Sequence, residues 1–586
     1  MTSGRVRRTA ARARSALSPR GALALQSVDG ALSFALRAAL AMALPALPMA
    51  LAGRADQAVY AMLGSFTTTF GRNLPYARRA RVLAVVAVAM TACVGGGSAL
   101  AAWADPTAGG AGAAVVVAAT AVVAGLAKFA CDAARLTGLG AVLLLFSFAV
   151  AANGSSTPAD VLPHTALAAT GAAVAWVLAV AGRFVHPDRP QRLAVAAALR
   201  ELADLLDVQE ATGAAYGRGL PRHRATAAVL QAYRTLGLAP PTAAGGVRGD
   251  RGGTCVRLAD LAWSLLMDRA RRPSDDPTGL TRALRAQVRL LVSRRRRAPR
   301  LLPELALLSA LAKDDTAPGP ASPDPTTRRA AELRAGELLT GRANSATHAA
   351  VLLVPALRMV LGTGLAGAAA LLLGLGHGYW AAVSAAAVLH SVNVRTATQR
   401  AVQRTLGTVV GLALALGVLA AGPEPVVLVL VIVLLEFLLE YVVARNYGLG
   451  VVFLTPLALL LTDLAAASPA GALVQDRALG SVLGMGIALL CALLVVHDRA
   501  AVRAQRALAA CTAAADAAAR ALTDGAEGAY PLVQTRLAAA VVELREADDA
   551  AAGELWPAEM DPTELAAAEQ RAYRLLERLV RPPDRS

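Results

Sequence analysis

The run "VLVLVIVLLEFLLEYVVARNYGLGVVFLTPLALLL", residues 427–461, decides how the chain is read. It is apolar enough to lie in hydrocarbon, yet Glu436, Glu440 and Arg445 are set into it. A carboxylate at such a depth costs roughly 2–4 kcal/mol even on lenient insertion scales, so its presence needs a physical reason.

Working outward, 56% of the 586 residues are hydrophobic, more apolar surface than a single soluble core can hide. The chain is therefore read as largely embedded in lipid. Its formal charge of +17 does not point to nucleic acid, because the arginines stand at the ends of apolar runs and not in one basic domain interleaved with aromatics. The five cysteines, Cys93, Cys131, Cys255, Cys491 and Cys511, share no CxxC or metal-ligand spacing and read as small packing residues.

About twelve apolar runs are long enough to be membrane-crossing candidates. Six lie near 31–52, 55–70, 82–103, 111–128, 137–152 and 165–182. Six more lie near 348–373, 378–394, 405–421, 425–443, 446–462 and 474–496. The second and fifth of each set are short or contain polar residues. Basic residues in alternate connections (Arg72, Arg78, Arg79 and Arg81, then Lys128 and Arg135, then Arg183) and none in "ADPTAGG" or "NGSSTPAD" place both ends of the first set in the cytoplasm. The second set repeats this with Arg342, Arg395, Arg400, Arg404, Arg445, Arg499 and Arg503 against the uncharged or acidic "GLGHG", "AGPEP" and "TDLAAASPAG". Both termini are thus expected in the cytoplasm of a cell whose inner membrane holds the protein. The arginine-rich start precedes an apolar run too long for a signal-peptide core, so it reads as an arm before a retained helix.

Short matches recur in the same order in the two sets: "ALR" at 35–37 and 356–358, "YAMLGS" at 60–65 and "YWAAVS" at 379–384, "ARLTGLGAV" at 134–142 and "ARNYGLGVV" at 444–452. They indicate a parallel repeat. The fold class follows: an all-α polytopic membrane protein with two parallel six-helix halves, each followed by a cytoplasmic helical domain. The divisions are 1–30 (basic arm), 31–182 (first half), 183–345 (cytoplasmic helices with linkers), 346–497 (second half) and 498–586 (cytoplasmic helices). Helical spacing in "QRLAVAAALRELADLLD" and "VRLADLAWSLLMDRA" supports the cytoplasmic assignment. The run "SRRRRAPR" at 293–300 is either a solvated charged turn or a site for anionic lipid headgroups.

Within "YWAAVSAAAVLHSVNVRTATQRAVQRTLGTVVGLALA", residues 379–415, Arg400, Arg404, Gly407, Thr408 and Gly411 form R-x-x-x-R-x-x-G-T-x-x-G. This segment, with "ARNYGLGVVFLTPLALLL" after it, resembles the fusaric acid resistance family, also called aromatic acid exporter-like proteins. The likeness is strong over about 350–497 and fainter over 30–185. The first half keeps Arg81 but displaces the glycines. The resemblance implies export of small organic anions such as aromatic carboxylic acids, driven by the proton gradient.

The residues themselves allow several roles. Gly407 and Gly411, and Gly480 and Gly484, share helix faces at four-residue spacing and suit close helix packing. Arg37 and Arg358 sit several residues inside equivalent helices, either snorkelling to the interface or offering guanidinium forks to a carboxylate. Arg135 and Arg445, each before "GLG", are either topological anchors or further substrate contacts, and Tyr379 and Ser384 complete the substrate-binding candidates. With Val426 at one edge, Glu436 falls roughly 15 Å deep, near the midplane of a ~30 Å core. Glu440 shares its face, whereas Arg445 points away, so Glu436 must be matched by another helix, by water or by a proton. The aligned first-half residue is Leu126, which makes Glu436 a proton-coupling candidate facing the interior.

Nothing indicates an enzyme or a cofactor: GxxxxGK[ST], HExxH and GxSxG are missing, and "GLGHG" reads as a turn. The partners expected are small organic anions and membrane lipids, no nucleic acid, and either a self-sufficient chain or a homodimer. Besides an exporter, a passive anion channel and a non-transporting assembly protein whose cytoplasmic helices bind partners fit the same residues.

Overall fold

The computed structural model describes residues 30–106, 109–136, 140–154, 156–212, 219–241, 253–268, 277–293, 300–314, 325–340, 346–391, 394–466, 469–494, 499–552 and 561–580. The basic arm, Arg342, His497, the body of the 293–300 run and most of the two linkers lie outside these residues. Among the described residues the chain is all helix, without strands.

The first set comprises α1 (Ala31–Leu51), α2 (Ala55–Ser65), α3 (Tyr76–Ala104), α4 (Gly110–Ala133), α5 (Gly140–Ala152) and α6 (Val161–Val185). An amphipathic group follows: α7 (Arg189–Thr212), α8 (Gly219–Leu236), α9 (Thr254–Asp268), α10 (Pro277–Val292), α11 (Pro303–Asp314) and α12 (Pro325–Thr340). The second set is α13 (Ala346–Leu372), α14 (Tyr379–Leu389), α15 (Val394–Ala420), α16 (Pro425–Val442), α17 (Tyr447–Ala465) and α18 (Ala470–Leu494). The last amphipathic helices are α19 (Arg499–Thr523), α20 (Tyr530–Ala552) and α21 (Pro562–Val580).

Nine of these are long and apolar enough to cross a membrane, namely α1, α3, α4, α6, α13, α15, α16, α17 and α18. The three others in the two sets, α2, α14 and α5, have 11, 11 and 13 residues. At 1.5 Å per residue they reach about 17–20 Å, too short for a ~30 Å hydrocarbon core. A helix can end inside a bilayer only where protein surrounds it, and all eleven residues of α14 are buried. So are nearly all of α2 and α5. α14 and α5 are apolar on every side, as "YWAAVSAAAVL" shows, and so take the middle of the bundle, whereas α2 carries Asp56 and Gln57 in its first turn and is buried from Ala58 onward.

Helix ends at this depth have their carbonyls taken up locally. Beyond α2 the chain tightens into a 3-10 turn, Phe66–Thr69, where Ser65 donates to the Met62 carbonyl (2.6 Å) and Thr67 to that of Gly64 (2.8 Å). Arg358 on α13 does the same for α14, its Nη2 donating to the carbonyls of Leu389 (2.9 Å) and Ser391 (3.0 Å).

The two sets interlock. The first helix of each packs on the fourth helix of the other, α13 on α4 and α1 on α16. At their centre Phe146 of α5 meets Trp380 of α14, ring centroids 5.9 Å apart. The amphipathic stretches, expected as two separate domains, share a single core: Leu199, Tyr233 and Trp263 pack in one cluster with Cys511, Leu537 and Tyr573. A 2.8 Å ion pair between Arg222 and Glu577 and the stacking of Arg222 on Tyr573 (4.0 Å) fasten the join. Each stretch supplies only one apolar face per helix, and a face that size is covered most fully by the other stretch.

Candidate functional site

Glycines set the site by deciding how closely α18 approaches α14. A Cβ on Gly484 would stand 2.2 Å from the Ala381 carbonyl oxygen, and one on Gly480 3.0 Å from Cβ of Trp380. The backbones touch, and Arg477, seven residues before Gly484 on the same face, is laid across the indole of Trp380 with its guanidinium carbon 4.0 Å from the ring centroid. On α15, Gly407 and Gly411 press against α17, where added Cβ atoms would stand 2.6 Å from the Gly448 carbonyl and 2.7 Å from Cβ of Thr455. Arg404, one turn before Gly407, is thereby carried inward. Its Nη1 donates to the Tyr447 hydroxyl and its Nη2 to the Ser384 hydroxyl, both at 3.2 Å.

Both guanidinium groups are fully enclosed, each residue being 1% exposed. Nε of Arg404 and Nε and Nη1 of Arg477 have no hydrogen-bond partner, nor do the hydroxyls of Thr408 and Ser481 one turn further along each helix, nor the indole N–H of Trp380. Neither guanidinium has a carboxylate partner among the described residues. The neighbouring acid, Asp476, is taken by His377, through the backbone N–H (3.1 Å) and Nδ1 (2.9 Å). Tyr379 closes the far side by a 3.1 Å hydrogen bond to Thr462. Two enclosed cations, flanked by an indole and hydroxyls and lacking a counter-charge among the described residues, are a composition with the chemistry to hold an anion.

Of the sequence-derived substrate candidates, Tyr379 and Ser384 stand at this site. The other four are placed elsewhere. Arg358 is occupied by the end of α14, as described above. Arg37 reaches Thr68 in the corresponding turn after α2 (3.4 Å) and lies on the Phe34 ring at 4.7 Å. Arg135 is exposed at the end of α4 with φ of 52° and feels the charge of Arg234 in the amphipathic layer. Arg445 folds back on its own helix end, donating to the Tyr441 carbonyl (3.1 Å) and covering the Tyr441 ring (4.1 Å). Arg477 was missed by the sequence reading. Its signal was available, since an arginine three and seven residues before Gly480 and Gly484 must lie on their packed face.

Glu436 and Glu440 occupy a second polar place, at the seam where α16 packs on α1. Both are buried, at 1% and 6% exposure. Glu440 lies within the fields of Arg72 and Arg37, and Arg72 covers the same Phe34 ring at 4.4 Å. One carboxyl oxygen of Glu436, Oε2, has no hydrogen-bond partner.

Residues 365–491 match the family described as fusaric acid resistance protein-like. An uncharacterized membrane protein of Bacillus subtilis (strain 168), YvaC, is 40% identical over 121 residues, 20% of this chain and 19% of that protein. The match therefore spans about a fifth of the relative's length. No solved structure matches the chain. The chain is a multi-pass membrane protein whose residues 365–491, the stretch that carries both Arg404 and Arg477, are similar to the fusaric acid resistance protein-like family.

Proposed function

We propose that the protein exports small organic anions, aromatic carboxylic acids foremost, from the cytoplasm across the bacterial inner membrane, and that the proton gradient drives it. The observation that carries this reading is the enclosed pair Arg404 and Arg477 with unpartnered N–H groups. An unpaired buried arginine costs several kcal/mol, and such charges persist in membrane helices chiefly where they serve a substrate or ion path. The likeness of this stretch to fusaric acid resistance proteins supports the same substrate class.

Glu436 is the proposed proton carrier. It stands at the seam between the sets with one oxygen unpartnered, beside Glu440, which in turn lies within the fields of Arg72 and Arg37. Loading or releasing a proton there changes the charge balance at a surface along which the sets must slide if access alternates. Anionic lipid around the arginine-bearing ends and pairing of two chains into a homodimer belong to the same reading.

Uptake of a labelled aromatic acid into inside-out vesicles, the direction equivalent to export, tests the proposal. Accumulation against the gradient should collapse on adding a protonophore and be absent in Arg404→Gln. Flux that only ever runs downhill would make the protein an anion channel. No flux for a broad anion panel would leave a non-transporting assembly protein.

A further inference from the structure

We infer that the connection 373–378, latched to α18 by Asp476, is the gate on the side where the anion leaves. This rests on the reading of Arg404 and Arg477 as an anion site and adds the route out of it. The site is shut, since Arg404, Arg477, Trp380 and Ser481 are all buried. An anion held there can leave only if part of its cover moves.

The cover is unequal on the two sides. Toward the arginine-free connections, read as outer, Trp380 is the second residue of α14 and the connection 373–378 comes next in the chain. Toward the other side α14 runs on from Trp380 to Leu389, about 14 Å, with every residue buried. Its far end is fastened by Arg358 to the carbonyls of Leu389 and Ser391. The connection is the thinner cover.

It is also held by little. Its backbone hydrogen bonds run to its own flanking helices: Leu373, Gly374 and Leu375 donate to the carbonyls of Ala369, Leu371 and Ala370, and the carbonyls of His377 and Gly378 accept from Trp380 and Ala381. Among the described residues its hydrogen bonds to α18 end on one atom, Oδ2 of Asp476, which accepts from the His377 backbone N–H (3.1 Å) and Nδ1 (2.9 Å). Asp476 immediately precedes Arg477, so the latch stands at the rim of the site. The side chains of His377 and Asp476 are 25% and 16% exposed, a wet edge above an enclosed cation.

Glycine permits both the latch and its release. A Cβ on Gly376 would stand 3.1 Å from the same Oδ2, so the connection can come up to the carboxylate only without a side chain there. Gly374 opens the connection with φ of 69° and has nothing within 4 Å of its Cβ position, which makes it a hinge free of neighbours. When His377 parts from Asp476, the connection swings away and water reaches Arg477, solvating anion and guanidinium as they separate.

Thiol labelling tests the gate. Ser481→Cys, one turn along α18 from Arg477, reports the opening, and mass spectrometry of the peptide carrying it separates it from the five native cysteines. In right-side-out vesicles holding the full chain, a membrane-impermeant maleimide should modify Ser481→Cys at least about tenfold faster once Asp476→Asn or His377→Ala is added, the shift in open population that losing a charge-assisted hydrogen bond brings. Both changes together should act no more strongly than one, because they break the same contact. Inside-out vesicles should show no acceleration. Ser147→Cys in α5, a buried position of the first set, controls for loosening of the bundle and should stay slow throughout. An unchanged rate at Ser481→Cys, acceleration in inside-out vesicles alone, or equal acceleration at Ser147→Cys would each overturn the gate. Uptake by the unaltered protein keeps that outcome apart from failure of the site: uptake with an unmoved labelling rate leaves the transporter without this gate, and no uptake of any anion removes the site and the gate with it.

Discussion

The last helix of each set crosses the short second helix in the same way, and the two crossings hold different chemistry. On the first side, a Cβ on Gly171 of α6 would meet the Ala61 carbonyl at 1.9 Å and the Ser65 amide at 3.1 Å. On the second, a Cβ on Gly484 of α18 would clash with the Ala381 carbonyl in the same way and stand 3.0 Å from the Ala385 amide. Seven residues before each glycine, a nitrogenous side chain lies on the aromatic ring that precedes the alanine. His164 stacks on Tyr60 with centroids 3.5 Å apart, and Arg477 covers Trp380. His164 is also satisfied by Ser98 at 3.3 Å, whereas Arg477 keeps unpartnered N–H groups. One backbone arrangement thus accommodates a closed polar contact or an open cationic one, and a single side chain decides which.

Exchanging those side chains should produce the largest effects. Arg477→His gives the second crossing the first one's solution. It should weaken anion binding by about tenfold or more while raising thermal stability, because a buried unmatched charge is removed. The converse, His164→Arg, should lower stability by roughly 2–4 kcal/mol and leave binding at the second crossing in place. Binding titrations and melting curves on the purified pair would break the comparison if both variants moved in the same direction.

A second contrast lies on the fourth helices, where α16 carries Glu436 and α4 the exposed Leu126. Glu436→Gln should abolish gradient-driven accumulation in vesicles and preserve equilibrium binding of the anion, because the carboxyl stands at the seam and not beside Arg477. Accumulation that persists undiminished in this variant removes the coupling role.

The glycines give a smaller, paired effect. Gly171→Leu and Gly484→Leu should each cost about 1–3 kcal/mol by overpacking. Only Gly484→Leu should also weaken anion binding, since Arg477 rides on that crossing. Equal loss of binding in both would show that the crossings are not independent.

The smallest effect lies outside both crossings and serves as their control. Burial pushes the His223 imidazole in the amphipathic layer below its ordinary value. At neutral pH and above, folded and unfolded chains alike hold it uncharged. As the pH falls, the unfolded chain takes up the proton first, so the layer loses stability toward acid. His223→Gln should make that decline in melting temperature shallower and leave anion binding at neutral pH unchanged.

The sequence made the fold class readable because apolar runs and arginine placement act over long stretches and tolerate local error. The crossing was harder to read. Matching letters pairs Tyr60 with Tyr379, whereas the shared packing of Gly171 on Ala61 and Gly484 on Ala381 pairs Tyr60 with Trp380, one residue later. A shift of one residue turns a helix by about 100° and hides the equivalence of His164 and Arg477. Tyr379 and Ser384 could be found from the repeated segment. Arg358 could not be excluded, because its partners are carbonyls at and just beyond the end of α14, and where that helix ends within the bundle is a tertiary fact. The joint core of α7–α12 with α19–α21 was equally out of reach, as amphipathic periodicity shows that a face is buried and not what buries it.

That joint core has a consequence for biosynthesis. Arg222 and Glu577 are separated by 355 positions, and the whole second membrane set is made between them. The first set and α7–α12 must therefore leave the ribosome with an apolar surface still uncovered, and the layer closes only after both membrane sets have been made. Its completion reports that translation and insertion have run their course. A chain truncated after α18 would carry both arginines and both crossings, yet present a bare apolar face to the chaperones and proteases that remove unfinished proteins.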